Sequence, residues 1–195
     1  MVDEPALRRI RSDEGLKLRS LRLRALADAP MAFGSTLARE QSFPENVWHE
    51  RAAGGASGTD RVTFIVERDG VWLGLASGIA TDPINPTDPG PFLVGMLVDS
   101  AERGQGLGAA LVEAVVAWAR SRGAARLYLW VTSTNTPAIA LYAKCGLPAH
   151  RRYAAAPALP VSDRVPNGAR PALTACGPQG MRPERADHMT ACPGR

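Results

Sequence analysis

Cysteine is scarce in this chain. Its three residues in 195, Cys145, Cys176 and Cys192, form no close pair. That excludes a disulfide framework and a zinc knuckle, and makes a reducing cytoplasm the expected location. Long apolar runs are also lacking, since Gly, Pro, Ser or Thr interrupts every uncharged stretch before the about 18 residues that a membrane span needs. The N-terminus carries Asp3, Glu4, Arg8 and Arg9 with no apolar segment behind them, so neither a secretory signal nor a membrane anchor is expected. What is there, 45% hydrophobic and 22% charged residues, is the balance of one soluble globular domain rather than of a disordered chain.

The formal charge of +4 suggests nucleic acid only until it is located. Residues 1–147 carry 16 Lys and Arg against 16 Asp and Glu, and residues 148–195 carry 7 against 3. A neutral body argues against a nucleic-acid partner, and the tail's arginines are too dispersed for a compact patch. That tail also holds eight of the 16 prolines and no Trp, Phe or Lys. Its apolar residues are mostly Ala and Pro, which bury too little area to offset chain entropy of roughly 1–2 kcal/mol per residue. The expected organisation is a working domain over 1–147 and an atypical, poorly ordered Pro/Arg-rich tail over 148–195.

Within the body, Leu16, Leu18, Leu21, Leu23 and Leu26 recur at near-helical spacing behind Ser12, Asp13 and Glu14, which suit a helix start. A second helix is expected from about Ser42, where Ser42, Pro44 and Glu45 resemble a capping box and Trp48 supplies an apolar face. Val62 to Glu67 and Val71 to Ala80 read as two strands joined by the hairpin turn Asp69-Gly70. After a proline-rich loop, Phe92 to Val98 is an apolar run of strand length. Arg103 to Ala109 then opens a helix, Leu107 to Arg120, that Gly123 ends. Arg126 to Thr132 is the next strand, and Asn135 with Pro137 starts a helix that runs to Lys144 and stops at Gly146. Strand, glycine-rich loop, helix and strand make a right-handed crossover, so these two strands should be parallel.

A glycine-rich turn between a strand and a helix N-terminus points several backbone N–H groups one way, where the helix dipole also favours negative charge. Gly104, Gly106 and Gly108 let a phosphate approach the backbone, and Arg103 adds a cation. A Walker A loop fails because Gly108 is followed by Ala109 and Ala110. A dinucleotide fingerprint is met only superficially, for five residues separate Val98 from Gly104 and no acid occurs between Glu113 and Asp163.

The run Val98-Asp99-Ser100-Ala101-Glu102-Arg103-Gly104-Gln105-Gly106-Leu107-Gly108-Ala109, followed by Asn135-x-x-Ala138-x-x-Leu141-Tyr142-x-x-x-Gly146, resembles the acetyl-CoA signature of the GNAT-type N-acetyltransferase superfamily. The resemblance is firm over 92–147 and looser over 10–91. It implies an α/β (α+β) fold, with a mixed, mostly antiparallel central sheet, a splayed parallel strand pair and helices on both faces. It also implies acetyl-CoA as co-substrate, with no metal, and an amine acceptor. Backbone N–H groups of Arg103, Gly104, Gln105, Gly106, Leu107, Gly108 and Ala109 would hold the pyrophosphate. Met96, Leu97 and Val98 would offer backbone to the pantetheine arm, Asn135 would cap its helix and bond that arm, and Tyr142 would donate to the coenzyme A sulfur. A backbone N–H near Val98 would polarise the carbonyl.

The general base is not legible. Related protein N-terminal acetyltransferases carry a Glu five positions before the motif Asn, and here that position is Trp130, which would instead wall the acceptor pocket or pack in the core. Water, Glu67, Glu40 and His49 are the remaining candidates, and each of the three side chains is expected on the solvated surface. Ala29 to Glu40 would lie over the acceptor. Two closing strands are expected of the superfamily, but Pro148 to Arg195 shows no convincing alternation, and Ala172 to Ala175 is only a short candidate. Either the tail folds in an unusual way, or the strand after Arg126 is an open edge, which would favour pairing between two copies of the chain. The expected function is acetyl transfer from acetyl-CoA to a primary amine, with a non-catalytic acyl-CoA-binding module as the alternative.

Overall fold

The computed structural model describes residues 3–81, 90–147, 149–154 and 170–176. Most of the proline-rich loop and most of the tail, including the expectation that the tail is poorly ordered, lie outside the described residues. Among the described residues seven strands form one sheet in the order β1-β2-β3-β4-β5-β7-β6. They are β1 (Ala6–Arg9), β2 (Arg61–Arg68), β3 (Val71–Ile79), β4 (Phe92–Val98), β5 (Arg126–Trp130), β6 (Ala149–Ala154) and β7 (Arg170–Cys176). Every neighbouring pair is antiparallel except β4 and β5, which the crossover helix makes parallel. Among the described residues five α-helices cover the sheet: α1 (Gly15–Asp28), α2 (Leu37–Gln41), α3 (Glu45–Ser57), α4 (Leu107–Ser121) and α5 (Thr136–Lys144). The mixed α/β architecture expected from the sequence is the one observed. Among the described residues no helix is long and apolar enough to cross a membrane.

Alternation along β2 divides the core. Val62 and Val66 point to the face covered by α4 and α5, where they meet Leu111, Val112, Val115 and Trp118. Ile65 points to the other face, with Ile10, Leu18, Leu21 and Trp48 of the N-terminal segment, α1 and α3. The buried positions of α4 (111, 112, 115, 118 and 119) follow a helical stripe, and each large side chain fully buried there contributes roughly 1.5–3 kcal/mol. Trp118 also donates its indole N–H to the Gly58 carbonyl at 2.8 Å, tying α4 to the end of α3.

The structure departs from the sequence reading at four places. β1 is an added edge strand that its composition hides, since Ala6, Leu7 and Arg9 are exposed and Arg8 is held by carboxylates rather than by apolar packing. α2 is a five-residue helix inside the expected connection, capped by Thr36, which accepts from the Arg39 N–H at 3.2 Å. Ser42 does not cap α3; its hydroxyl donates to the Arg39 carbonyl at 2.7 Å and closes α2, while α3 begins after Pro44 with no side-chain cap. The last departure is β6 and β7. β7 pairs with β5 from Arg126↔Cys176 to Trp130↔Ala172, so β5 is an interior strand and the argument for pairing two chains through an open edge falls away.

Candidate active site

Strand β4 carries a β-bulge. Ser77 pairs with Val94 and Leu75 with Leu97, so Gly95 and Met96 together oppose the single residue Ala76. Gly95 adopts φ +65°, a left-handed conformation that residues with a Cβ avoid. On the other side of β4 the parallel ladder to β5 comprises only Phe92↔Tyr128 and Leu93↔Leu129. From Val94 onward the two strands part, and the β4 wall of that opening offers backbone polar groups.

The loop leaving β4 is held by its own side chains. Asp99 accepts from the Ala101 N–H at 3.1 Å, and Arg103 folds back to donate from Nε to the Val98 carbonyl at 3.2 Å. Gln105 donates to Glu102 at 3.2 Å, and Glu102 is paired with Arg68 at 3.1 Å. Gly106 is the N-cap of α4 at φ +84°, and no atom stands within 4 Å of where a Cβ would be at either Gly104 or Gly106. The first bond closing α4 runs from the Ala110 N–H to the Gly106 carbonyl at 3.1 Å. The N–H groups of Leu107, Gly108 and Ala109 precede it, at the positive end of the helix dipole. An open loop with these donors suits an anion such as a pyrophosphate.

Helix α5 approaches the same place. Leu141 and Met96 lie 3.1 and 3.3 Å from where a Cβ on Gly108 would stand, so α4, α5 and β4 converge there. Asn135 is the N-cap of α5, accepting from the Ala138 N–H at 3.3 Å. Tyr142 is 6% exposed, and its pKa is pushed up to about 12, by burial first and by Cys145 second. At neutral pH it is a protonated phenol.

Met96 and Tyr142 also line a cleft of about 420 Å³ between the sheet and the N-terminal helices. Trp130 lines it, one of the two roles the sequence left open, and so do Phe33, Gly34 and Ser35 of the connection after α1. Glu40, expected on the surface, is 3% exposed and lines the cleft. Burial raises its pKa, but hydrogen bonds and charge from Arg22 at 2.8 Å, helped by Ser35 and Arg51, outweigh that and hold it below the usual carboxylate range. Glu67 does not reach the cleft; Arg8 bonds it at 2.7 Å and lowers its pKa. His49 is on the surface beside Glu45. The sequence reading missed Gly95, whose signal was a glycine inside a strand pattern. It also missed Arg22, Arg51 and Arg61, which line the cleft.

Comparison with known proteins agrees with this geometry. The model of the "Acetyltransferase (GNAT) family" matches residues 23–147. The chain therefore belongs to that family, a class of acyltransferases. A curated relative, mycothiol acetyltransferase of Thermobispora bispora, is 34% identical over 135 residues, which is 65% of this chain and only 40% of that protein. A GNAT-family acetyltransferase from Streptococcus pneumoniae superposes with a TM-score of 0.68 at 17% identity, covering 89% of this chain and 99% of that one. The PaiA N-acetyltransferase of Thermoplasma acidophilum, solved in complex with coenzyme A, gives 0.67 at 10% identity, with 90% of this chain and 100% of that one covered.

Proposed function

We propose that the chain moves an acetyl group from acetyl-CoA to the primary amine of an acceptor by direct attack, with Tyr142 as general acid. The observation that carries this reading is the convergence at one place of an anion-binding loop, a parted strand pair and a buried phenol opening on a cleft. The donor site fits the residues present. The backbone from Arg103 to Ala109 receives the pyrophosphate, and Met96, Leu97, Val98 and Asn135 receive the pantetheine arm. Bound acetyl-CoA supplies a thioester: the C–N bond forms, the C–S bond breaks, and one proton leaves the amine while the sulfur gains one. A backbone N–H near Val98 polarises the carbonyl from a fixed position.

The Tyr142 phenol, pushed up to about 12, holds its proton more tightly than an ordinary thiol of pKa about 8.5. It therefore steadies the sulfur by donating a hydrogen bond as the C–S bond lengthens, and passes the proton fully only because the same dry site also destabilises a thiolate. Glu40 is the one carboxylate lining the cleft among the described residues, and its arginine partners make it a poor base. The amine accordingly reacts in its neutral form.

Titration calorimetry with acetyl-CoA tests the donor site. Wild type should bind, and Gly106→Glu, which puts bulk and negative charge in the loop, should not while remaining folded by circular dichroism. A folded wild type that fails to bind sinks the proposal; binding without turnover on any amine leaves the acyl-CoA-binding module as the reading.

A further inference from the structure

We infer that the acceptor is an amine that also carries an anionic group, a carboxylate or a phosphate, held in the cleft by Arg22, Arg51 and Arg61. This rests on the acetyl-transfer reading above and gives the acceptor its chemical class. Among the described residues, the charged side chains lining the cleft are Arg22, Arg39, Arg51, Arg61 and Glu40, four guanidinium groups to one carboxylate. Glu40 is already committed: both its oxygens take bonds from Arg22, and Oε2 also faces Arg51 at 3.4 Å.

The rest of the positive charge meets no other carboxylate in the cleft among the described residues. Nη1 of Arg22 is buried with no hydrogen-bond partner among the described residues, and so is the indole N–H of Trp48, a fully buried residue that also lines the cleft. Arg61 is half-buried at the start of β2, and its side chain makes no ion pair or hydrogen bond to another described residue; burial and Arg51 both disfavour its charge. Desolvated donors without partners are costly unless a ligand supplies the acceptor atoms. The guanidinium groups are also held in place, Arg22 over the Phe33 ring at 4.4 Å and Arg51 over the Phe43 and Trp48 rings, each at 4.9 Å. Planar donors positioned in advance suit a carboxylate or phosphate and repel a polycation. The same field disfavours an ammonium and favours the neutral amine, which gives the cleft a nucleophile without a dedicated base.

The test is a panel of matched acceptors assayed by thiol release from acetyl-CoA: α-amino acids against their C-terminal amides, phosphoethanolamine against ethanolamine, and spermidine as the cationic member. In parallel, calorimetry measures binding of the same acids and of inorganic phosphate to the full chain, a readout that does not depend on the donor site. At least one acid should exceed its neutral partner by tenfold or more in kcat/KM; which pair shows it separates carboxylate from phosphate. Arg61→Gln should raise KM for that acid about tenfold, with partial rescue by Arg61→Lys, and shift the acidic limb of its kcat/KM profile to higher pH. Acetyl-CoA affinity reads the donor site separately, so loss of that affinity counts against the acetyl-transfer reading alone. Three results overturn the inference: amides or spermidine serving as well as the acids, an acid preference that Arg61→Gln leaves unmoved, or no acid binding or reacting at all.

Discussion

Tyr142 does two jobs that pull in different directions. It fills space in the core beneath α4 and α5, and its hydroxyl belongs to a residue that lines the cleft. Tyr142→Phe keeps the ring and removes only the donor, so turnover should fall by about 10²-fold, the scale of one general-acid contribution. Acetyl-CoA affinity by calorimetry should change little. Because burial pushes the phenol up to about 12, kcat should show no alkaline loss assignable to Tyr142 below about pH 10, well short of that value. A second residue-scale device is Arg8, which bonds Glu14 at 2.7 Å and Glu67 at 2.7 Å and pins β1 to α1 and β2. Hydrogen bonds from Arg8 lower both carboxyl pKa values. Depressed carboxyl pKa values stabilise the fold above the unfolded value of about 4.3, and that stability is lost as pH falls through the folded values. Urea midpoints should therefore separate wild type from Glu14→Gln at pH 7 and converge toward pH 3.

At the scale of elements, α4 shows what a sequence can disclose. Its stripe of Leu111, Val112, Val115 and Trp118 is long enough for period 3.6 to be unmistakable, and its start is marked by glycines that serve the backbone. Leu111→Ala, at a fully buried position, should cost about 2–5 kcal/mol in denaturant unfolding. The loop before α4, the hairpin at Asp69-Gly70 and the cap at Asn135 were legible for the same reason: local chemistry decides each one. α2 was not, because five residues are too few to show a period. β1 was not, because a mostly exposed edge strand held by Arg8 needs no apolar alternation. The cleft's arginines were hidden for a third reason. Arg22, Arg51 and Arg61 stand 10 to 39 positions apart in the chain and come together only when α1 and α3 pack on β2.

For the whole molecule, the sheet is the unit that counts. Residues 1–147 contain the donor loop, Tyr142 and all the described cleft-lining residues, yet they stop short of β7, which flanks β5, and of β6 beyond it. A chain ending at Leu147 would leave the backbone of β5 unpaired between Arg126 and Trp130, where β7 now bonds it. An uncovered interior strand is a template for other chains. That shortened protein should show self-association by light scattering and a lower unfolding midpoint than the full chain, even though no cleft residue has been removed.

The strand order also sets a timetable. β7 lies between β5 and β6, although it follows both in the chain. Its place must be kept open while the ribosome makes the 39 residues between Trp130 and Arg170, on the order of seconds at the usual rate of synthesis. During that interval the nascent chain presents an unpaired strand edge to its surroundings. Slow codons or chaperone capture between those two positions would therefore change the yield of folded protein more than the same events would earlier in the chain.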